Sequence, residues 1–572
     1  MKRFFPILNW LPNYKKAFFK HDLAAGLTVG IMLIPQGMAY AMIAGLPPVY
    51  GLYAGMLPQV IYAIFGTSRQ LGVGAVAMDS LLVAAAVTTL AEVGTEHYIT
   101  LALLLAFMMG AIQLIMGLFR MGFLVNFLSK PVISGFTSAA ALIIGLNQLK
   151  YLLGIDIERS RYIYSIIHEA FVKFSSISIG TFLIGIGGIL VLIFVKKINK
   201  AIPAALVAVI LSILIVQFFE LDSMGISIVG EVPKGLPGFA IPALTAPEFI
   251  KLIPAAATIA LIAFMEAVSV AKAIQAKHRD EYEIDSNQEL IGLGMANVVG
   301  SFFGSFPVTG GFSRSAVNEQ IGAKTNVASL ISATLVGLTL LFLTPLFYYL
   351  PKAILASVIM VAVFGLINVK YPKFLWKTRK EDFFMLLVSF IATLGIGIKE
   401  GIGLSVGISL LVMIYRSTKP HYAVVGKIPG MRIYRNIKRF DNVIIRKDIL
   451  ILRYDSDLYF ANTPHFADII RKEVNKKGPS LKLIILQANS IADIDASAYL
   501  AITEVITEYE KQGILFYFSN LIGPSRDLLS RAGIDEIGEK EKSFFDIETA
   551  VEHFDRHYRN KGAIADPLHP GI

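Results

Sequence analysis

Phe306-Pro307-Val308-Thr309-Gly310-Gly311-Phe312-Ser313-Arg314-Ser315 is rich in glycine and hydroxyl groups and carries an arginine, yet it lies between two runs apolar enough to sit in lipid. Backbone that leaves a helix at membrane depth must line a cavity or be buried in protein, because lipid cannot satisfy free N–H and C=O groups. An arginine at such a place is costly and marks an ion or substrate path. A short helix starting near Phe312 would set free N–H groups and a positive dipole end beside Arg314, the elements of an anion site. The competing reading is a flexible loop between two helices.

Outward from this stretch, apolar segments of spanning or near-spanning length recur about fourteen times. Their approximate limits are 23–40, 49–65, 73–90, 98–119, 131–149, 177–195, 203–218, 252–271, 288–303, 308–321, 328–348, 352–368, 382–398 and 402–415. Counted from an inside N-terminus, the clusters Lys196-Lys197-Lys200, Lys272-Lys277-Arg279 and Lys370-Lys373-Lys377-Arg379-Lys380 all fall in cytoplasmic loops. Glu92/Glu96, Asp156/Glu158 and Glu220/Asp222/Glu231 fall outside, so the even count and an inside C-terminus support each other.

Seven spans per half is an odd number, so two homologous halves must insert upside down relative to each other. The third span begins Leu71-Gly72-Val73-Gly74-Ala75-Val76 and the tenth Pro307-Val308-Thr309-Gly310-Gly311-Phe312. Both are short, broken by glycine and third in their half. Interrupted segments at matching positions point to a site near the bilayer midplane, with their helix N-termini facing each other.

Composition agrees with a polytopic membrane protein. The 572 residues have a mean hydropathy of +0.63, with 55% hydrophobic and 16% charged residues. The apolar runs stop near Ile414, and a more charged segment with strand-length apolar runs follows as a soluble domain. Zero cysteines exclude disulfides, thiol nucleophiles and thiolate metal sites. The net charge of +10 follows from basic loops beside the spans and is not taken to imply a nucleic-acid partner. The N-terminus lacks a cleavable signal pattern. It is expected to lie at the interface, with Trp10, Tyr14, Phe18 and Phe19 at the headgroups. The nine histidines form no metal-like cluster, and no Gly-x4-Gly-Lys-Ser/Thr phosphate loop for an ATP-driven pump occurs. No enzyme constellation, cofactor or metal is expected.

Three intramembrane polar residues need weighing. Gln36 follows Pro35 in an apolar span, where its amide can donate to an anion or bridge helices. Glu266 has no charged neighbour for a turn either way. If it approaches and leaves Arg314 it can exchange a proton as the site changes shape; otherwise it forms a static bridge that makes Arg314 tolerable. Asp79 is either a helix cap at the start of the third span or a second proton site.

In the soluble segment, strands are expected at Ile449–Tyr454, 481–488 and 514–519. Helices are expected from Pro464, Ser497 and Pro524 and near 548–554, which makes a small α/β domain.

Pro48-Val49-Tyr50-Gly51-Leu52-Tyr53-Ala54-Gly55, followed by Val60-Ile61-Tyr62 and Gly66-Thr67-Ser68-Arg69, resembles the signature of the SulP anion-permease family. Ile34-Pro35-Gln36-Gly37-Met38-Ala39-Tyr40, the 306–315 stretch and Gly426-Lys427-Ile428-Pro429-Gly430 with Tyr434-Arg435 are similar to it as well. The resemblance covers nearly the whole chain. It implies a 7+7 inverted-repeat α-helical membrane domain, a C-terminal cytoplasmic α/β STAS domain and a homodimer. The expected organisation is an interfacial segment at 1–22, a transmembrane domain at 23–415 with repeats at about 23–218 and 252–415, a linker at 416–436, the STAS domain at 437–555 and a tail at 556–572.

Carried over by this resemblance, the anion site comprises Gln36 and Tyr40 on the first span, Ala75 and Val76 at the third, and Gly311, Phe312, Ser313 and Arg314 at the tenth. Glu266 on the eighth span, with Asp79, is expected to handle protons. Cyanobacterial bicarbonate members of the family carry an aspartate at the Glu266 position and a threonine one turn later that completes a sodium site. Here the later residue is Val270, which puts sodium coupling in doubt, and the plant sulfate members' glutamate favours protons. In the STAS domain, Asp493-Ile494-Asp495-Ala496-Ser497-Ala498 resembles the segment bearing the phosphorylated serine of anti-sigma-factor antagonists. Ser497 is either that regulatory or docking serine or an N-cap.

The implied function is proton-coupled uptake of an inorganic oxyanion, foremost sulfate, by alternating access. The expected setting is a bacterial inner membrane with both termini cytoplasmic. Bicarbonate, a C4-dicarboxylate such as fumarate, and an exchanger or channel mode are the alternatives within transport. A membrane-tethered STAS scaffold or sensor, with a cytoplasmic protein partner, is the alternative from another class.

Overall fold

The computed structural model describes residues 4–123, 129–157, 163–198, 203–242, 246–278, 282–365, 367–533 and 542–559. Glu158, Lys200, Arg279 and most of the expected tail lie outside them. The chain forms two compact units, Met1–Ser409 and Leu410–Ile572.

The first unit is α-helical. Its principal helices in the first half are α1 (Lys16–Ile43), α2 (Val49–Phe65), α3 (Ala77–Val87), α4 (Glu96–Leu118), α5 (Lys130–Asn147), α6 (Ile179–Ile198) and α7 (Ala204–Phe218). The second half supplies α8 (Ala246–Gln275), α9 (Ser286–Ser301), α10 (Phe312–Ile321), α11 (Val327–Leu338), α12 (Lys352–Phe364), α13 (Lys380–Ile396) and α14 (Ile398–Thr418). Among the described residues, five stretches are long and apolar enough to cross a membrane unaided: Lys16–Ile43, Glu96–Leu118, Lys130–Leu153, Pro247–Gln275 and Val327–Phe347. Most of the others are shorter. The 11 residues of α3 and the 10 of α10 extend only about 15 Å each, half the hydrocarbon thickness.

Packing repeats between the halves with the partners exchanged. Helix α4 lies against α8 and α9, and its counterpart α11 lies against α1 and α2. Likewise α5 packs on α13, and α6 on α12. Small residues let these crossings close. A Cβ on Gly110 of α4 would stand 2.7 Å from the Gly294 carbonyl oxygen of α9, and one on Gly37 of α1 would stand 2.6 Å from that of Gly51 on α2.

Between the halves lies a two-residue antiparallel pairing. Strand β1 (Val73–Gly74) meets β2 (Thr309–Gly310) in the register Val73 to Gly310 and Gly74 to Thr309. Each strand runs directly into a broken helix, β1 into α3 and β2 into α10. The strands thereby satisfy backbone groups that neither short helix could satisfy in lipid.

The second unit is a six-stranded sheet in the order β4-β3-β5-β6-β7-β8. Its strands are β3 (Tyr422–Lys427), β4 (Tyr434–Asn436), β5 (Ile449–Tyr454), β6 (Leu483–Gln487), β7 (Leu515–Ser519) and β8 (Ser543–Phe544). From β5 to β8 the pairing is parallel, and β3 joins β5 antiparallel. Side chains alternate along β5. Leu450, Leu452 and Tyr454 enter one core with α15 (Thr463–Lys477) and α16 (Ala496–Glu510); Ile449 and Ile451 enter the other with α18 (Ile547–Phe554), which follows α17 (Gly523–Arg531). The stretch 416–436, expected as a linker, is corrected in part: it supplies β3 and β4. Its alternating Tyr-Ala-Val-Val-Gly-Lys run buries Ala423 and Val425 on one face, as an inserted strand must.

Candidate functional site

Both broken helices begin without a side-chain cap. The residue before α3 is Val76 and the residue before α10 is Gly311, each extended, and neither supplies an acceptor. The orphan N–H groups of the two first turns are left to a ligand or water. The junction is held shut from behind. Gly311 N–H donates to the Gly72 carbonyl at 2.9 Å. Ser315 Oγ accepts from Gly72 N–H at 2.9 Å and donates to the Gly311 carbonyl at 2.7 Å.

Arg314, 2% exposed, reaches across from α10. Its Nη1 donates to the Ala75 carbonyl at 2.8 Å, while Nε and Nη2 are buried with no partner. The guanidinium lies flat on the backbone: a Cβ on Gly311 would meet Nη2 at 2.7 Å and Cζ at 2.8 Å. Leaving charged donors buried and unsatisfied costs more than the roughly 1–3 kcal/mol of a neutral group, so these two donors mark where an acceptor belongs.

The other expected residues gather here to differing degrees. Tyr40 and Glu266 stand within electrostatic range of Arg314, and Glu266 within range of Asp79. No ion pair joins Glu266 to Arg314 among the described residues, so the static-bridge reading does not describe this conformation. Asp79 occupies the first turn of α3, and neither carboxylate oxygen has a partner; the cap reading is therefore corrected. Gln36, next to Pro35 inside the continuous helix α1, keeps its Oε1 buried without a partner. Phe312 and Ser313 are exposed on the first turn of α10, and Ala75 is buried, offering its carbonyl to Arg314. Val270, one turn beyond Glu266, is buried and offers no side-chain oxygen.

Several positioning residues escape sequence reasoning. Helix α9 grips the approaches to both broken segments. Near its start Glu289 accepts from Tyr62 Oη at 2.7 Å, Thr67 N at 2.7 Å, Thr67 Oγ1 at 2.6 Å and Ser68 N at 3.2 Å. Farther along it, Asn297 accepts from Val308 N–H at 2.9 Å and donates to the Val308 carbonyl at 2.9 Å. Thr309 Oγ1 donates to Ala263 O at 2.7 Å, which ties β2 to α8 less than a turn before Glu266. Glu289 opens an apolar span and so resembles a solvated end charge in sequence; only the fold brings Thr67 to it.

In the second unit Ser497 is exposed in the first turn of α16, but the cap is Asp495. The Asp495 carboxylate accepts from Ala498 N at 2.8 Å and from Phe460 N at 2.8 Å. The N-cap reading of Ser497 is corrected, and its hydroxyl is accessible.

Two facing helix N-termini with a buried cation, carried on an inverted-repeat helical unit, define a membrane anion transporter rather than an enzyme. The chain belongs to the sulfate permease family: the family's model matches residues 19–389, and that of the STAS domain matches residues 442–550. It is 41% identical over 569 residues to sulfate transporter 4.1, chloroplastic, of Arabidopsis thaliana, covering 96% of this chain and 82% of the relative. The probable sulfate transporter 4.2 of the same plant is also 41% identical over 569 residues, at 96% and 83% coverage. Among solved structures, the murine Solute Carrier 26 family member A9 anion transporter in the inward-facing state superposes with a TM-score of 0.89 at 27% identity. That match covers 97% of this chain and 94% of the other. These plant relatives lend no support to the expected bacterial source.

Proposed function

We propose that the chain takes up sulfate across a membrane by alternating access, driven by protons. The observation that carries this reading is the buried Arg314 with two unpartnered donor nitrogens between two uncapped helix N-termini. One guanidinium and two dipole ends of about +0.5 each sum to about +2, which matches a dianion. An ionised Glu266 or Asp79 would cancel half of that charge, and protonation would restore it. Anion and proton thus favour each other's binding.

Energetics require such coupling. Carrying a dianion inward against ~150 mV costs about 7 kcal/mol, at ~2.3 kcal/mol per charge per 100 mV. Two protons, one each on Glu266 and Asp79, carried in with one dianion make the complete transport cycle electroneutral, since the loaded and the empty deprotonated site then bear the same charge. The apolar Val270 beside Glu266 favours protons over sodium as the driving ion. In this reading the chain crosses the membrane fourteen times with both termini cytoplasmic, and functions as a homodimer.

The test is uptake into liposomes holding the purified protein, with labelled sulfate, bicarbonate or fumarate and an imposed proton or sodium gradient. Sulfate accumulation that follows the proton gradient is expected. Accumulation of bicarbonate or fumarate in preference to sulfate, or dependence on sodium, would overturn the assignment. Removal of residues 420–572, which takes out β3 and β4 with the rest of the sheet, separates transport from scaffolding, because a transporter retains anion binding and a scaffold loses its activity.

A further inference from the structure

The transport reading leaves unused the basic cluster between α12 and α13. There the chain folds as a nine-residue helix, Lys370–Thr378, opened by the Asn368 side chain, which accepts from Lys370 N at 3.1 Å and Tyr371 N at 3.0 Å. Lys370, Lys373 and Lys377 recur at i, i+3 and i+7, so they line one stripe. Leu375 projects from the opposite side and is buried, with the helix packed against α13. The lysine stripe therefore faces away from the protein.

Two further features give this stripe a partner. First, none of Lys370, Lys373, Lys377 and Arg379 forms an ion pair among the described residues. Second, aromatic rings flank the charges in the open. Phe374 is 58% and Trp376 49% exposed. Tyr371 stacks on Phe374 with ring centroids 6.4 Å apart, Trp376 packs on Phe383 at 4.9 Å, and Lys380 Nζ sits 5.5 Å from the Trp376 ring. Exposed rings beside lysines that form no ion pair suit a helix lying in the headgroup layer, with rings at the acyl boundary and ammonium groups among phosphates. Its place between two apolar helices puts it at that depth, and basic-loop sorting puts it on the cytoplasmic side, where the leaflet is anionic.

We propose that the helix Lys370–Thr378 with Arg379 and Lys380 is a binding site for anionic phospholipid headgroups, separate from the anion path. Lys370, Lys373, Lys377 and Arg379 engage headgroup phosphates. Phe374 and Trp376 anchor the helix at the interface, and Leu375 fixes it to α13.

The chain has two tryptophans, so Trp10→Phe leaves Trp376 as the sole reporter. The full-length Trp10→Phe protein is placed in phosphatidylcholine vesicles containing a minority of phosphatidylglycerol. One lipid at a time is brominated near the carboxyl end of its acyl chains. Per mole, brominated phosphatidylglycerol is expected to quench Trp376 at least about fivefold more than brominated phosphatidylcholine, the equivalent of one basic residue near an anionic surface. Raised salt should erase the preference. Lys370→Gln, Lys373→Gln, Lys377→Gln and Arg379→Gln together should also erase it, whereas the three Lys→Arg changes should keep it. Equal quenching by the two lipids in the otherwise native chain would overturn the proposal. So would a preference that survives the four glutamines, or one that inorganic phosphate abolishes at constant ionic strength.

Discussion

Arg314 Nη1 and the Ala75 carbonyl, 2.8 Å apart, bind the head of one broken helix to the entry of the other. A single side chain thus closes the two segments together and presents its remaining donors to a ligand.

Replacing Arg314 by alanine should weaken sulfate binding by roughly 10- to 100-fold, from the ~1.5–3 kcal/mol of a charged hydrogen bond, and abolish accumulation. Arg314→Lys should recover only part, since an ammonium cannot both hold Ala75 and present a planar pair of donors. Binding measured by calorimetry on the folded, purified protein tests this; native affinity in the alanine variant would remove Arg314 from the site.

For Glu266→Gln, coupling should fail while exchange survives. The amide resembles the protonated carboxyl in shape and charge, so sulfate should still equilibrate down its own gradient. An inward proton gradient of about 1.5 pH units, worth about 2 kcal/mol per proton, should no longer concentrate it. If the glutamine variant accumulates sulfate like the native protein, the coupling role moves to Asp79.

Glu289→Gln should raise the KM for sulfate and lower the melting temperature without altering the proton dependence. Three side-chain or backbone groups of Tyr62 and Thr67, and a fourth from Ser68, all donate to this carboxylate. The glutamine amide adds a donor facing donors, and each orphaned group costs about 1–3 kcal/mol. Thermal unfolding in detergent alongside uptake kinetics tests it. Unchanged melting and KM would show that the loop before β1 holds its place without the carboxylate.

Stability of the second unit should rise with pH between about 8 and 10.5. Burial pushes the Lys477 ammonium down from 10.5 to about 8, against the opposing pull of Asp448. In that window the unfolded chain binds more protons than the folded one, so folding gains as the pH increases. Lys477→Met should flatten this rise in a denaturant titration; an unaltered slope would assign it to other groups.

Much of this architecture could be read directly from residues. Glycines 72, 74, 310 and 311 announce two interrupted segments, and an arginine beside one of them announces an anion. The strands Ile449–Tyr454, Leu483–Gln487 and Leu515–Ser519 stand out because each is a short apolar run bounded by turns. Contacts across the sequence are not legible in this way. Asn297 and Glu289 act on Val308 and Thr67, and a helix carrying them has the same pattern whether or not those partners arrive. Asp495 displaces Ser497 as cap because its carboxylate also reaches Phe460 N–H from a separate loop. Strand β3 is hard to read in the sequence because its short run follows closely on the end of a membrane helix.

Strand β1 pairs with a strand made more than two hundred residues later. During synthesis the first half of the chain therefore enters the membrane with Val73 and Gly74 lacking their ladder partners and with no guanidinium at Ala75. Such a long-range closure is slow, and bare strand backbone in lipid is costly. The first half consequently stays incomplete until the segment that carries β2 and Arg314 has been made. Mutations that delay the second half should betray themselves as degradation of the nascent protein rather than as an inactive carrier.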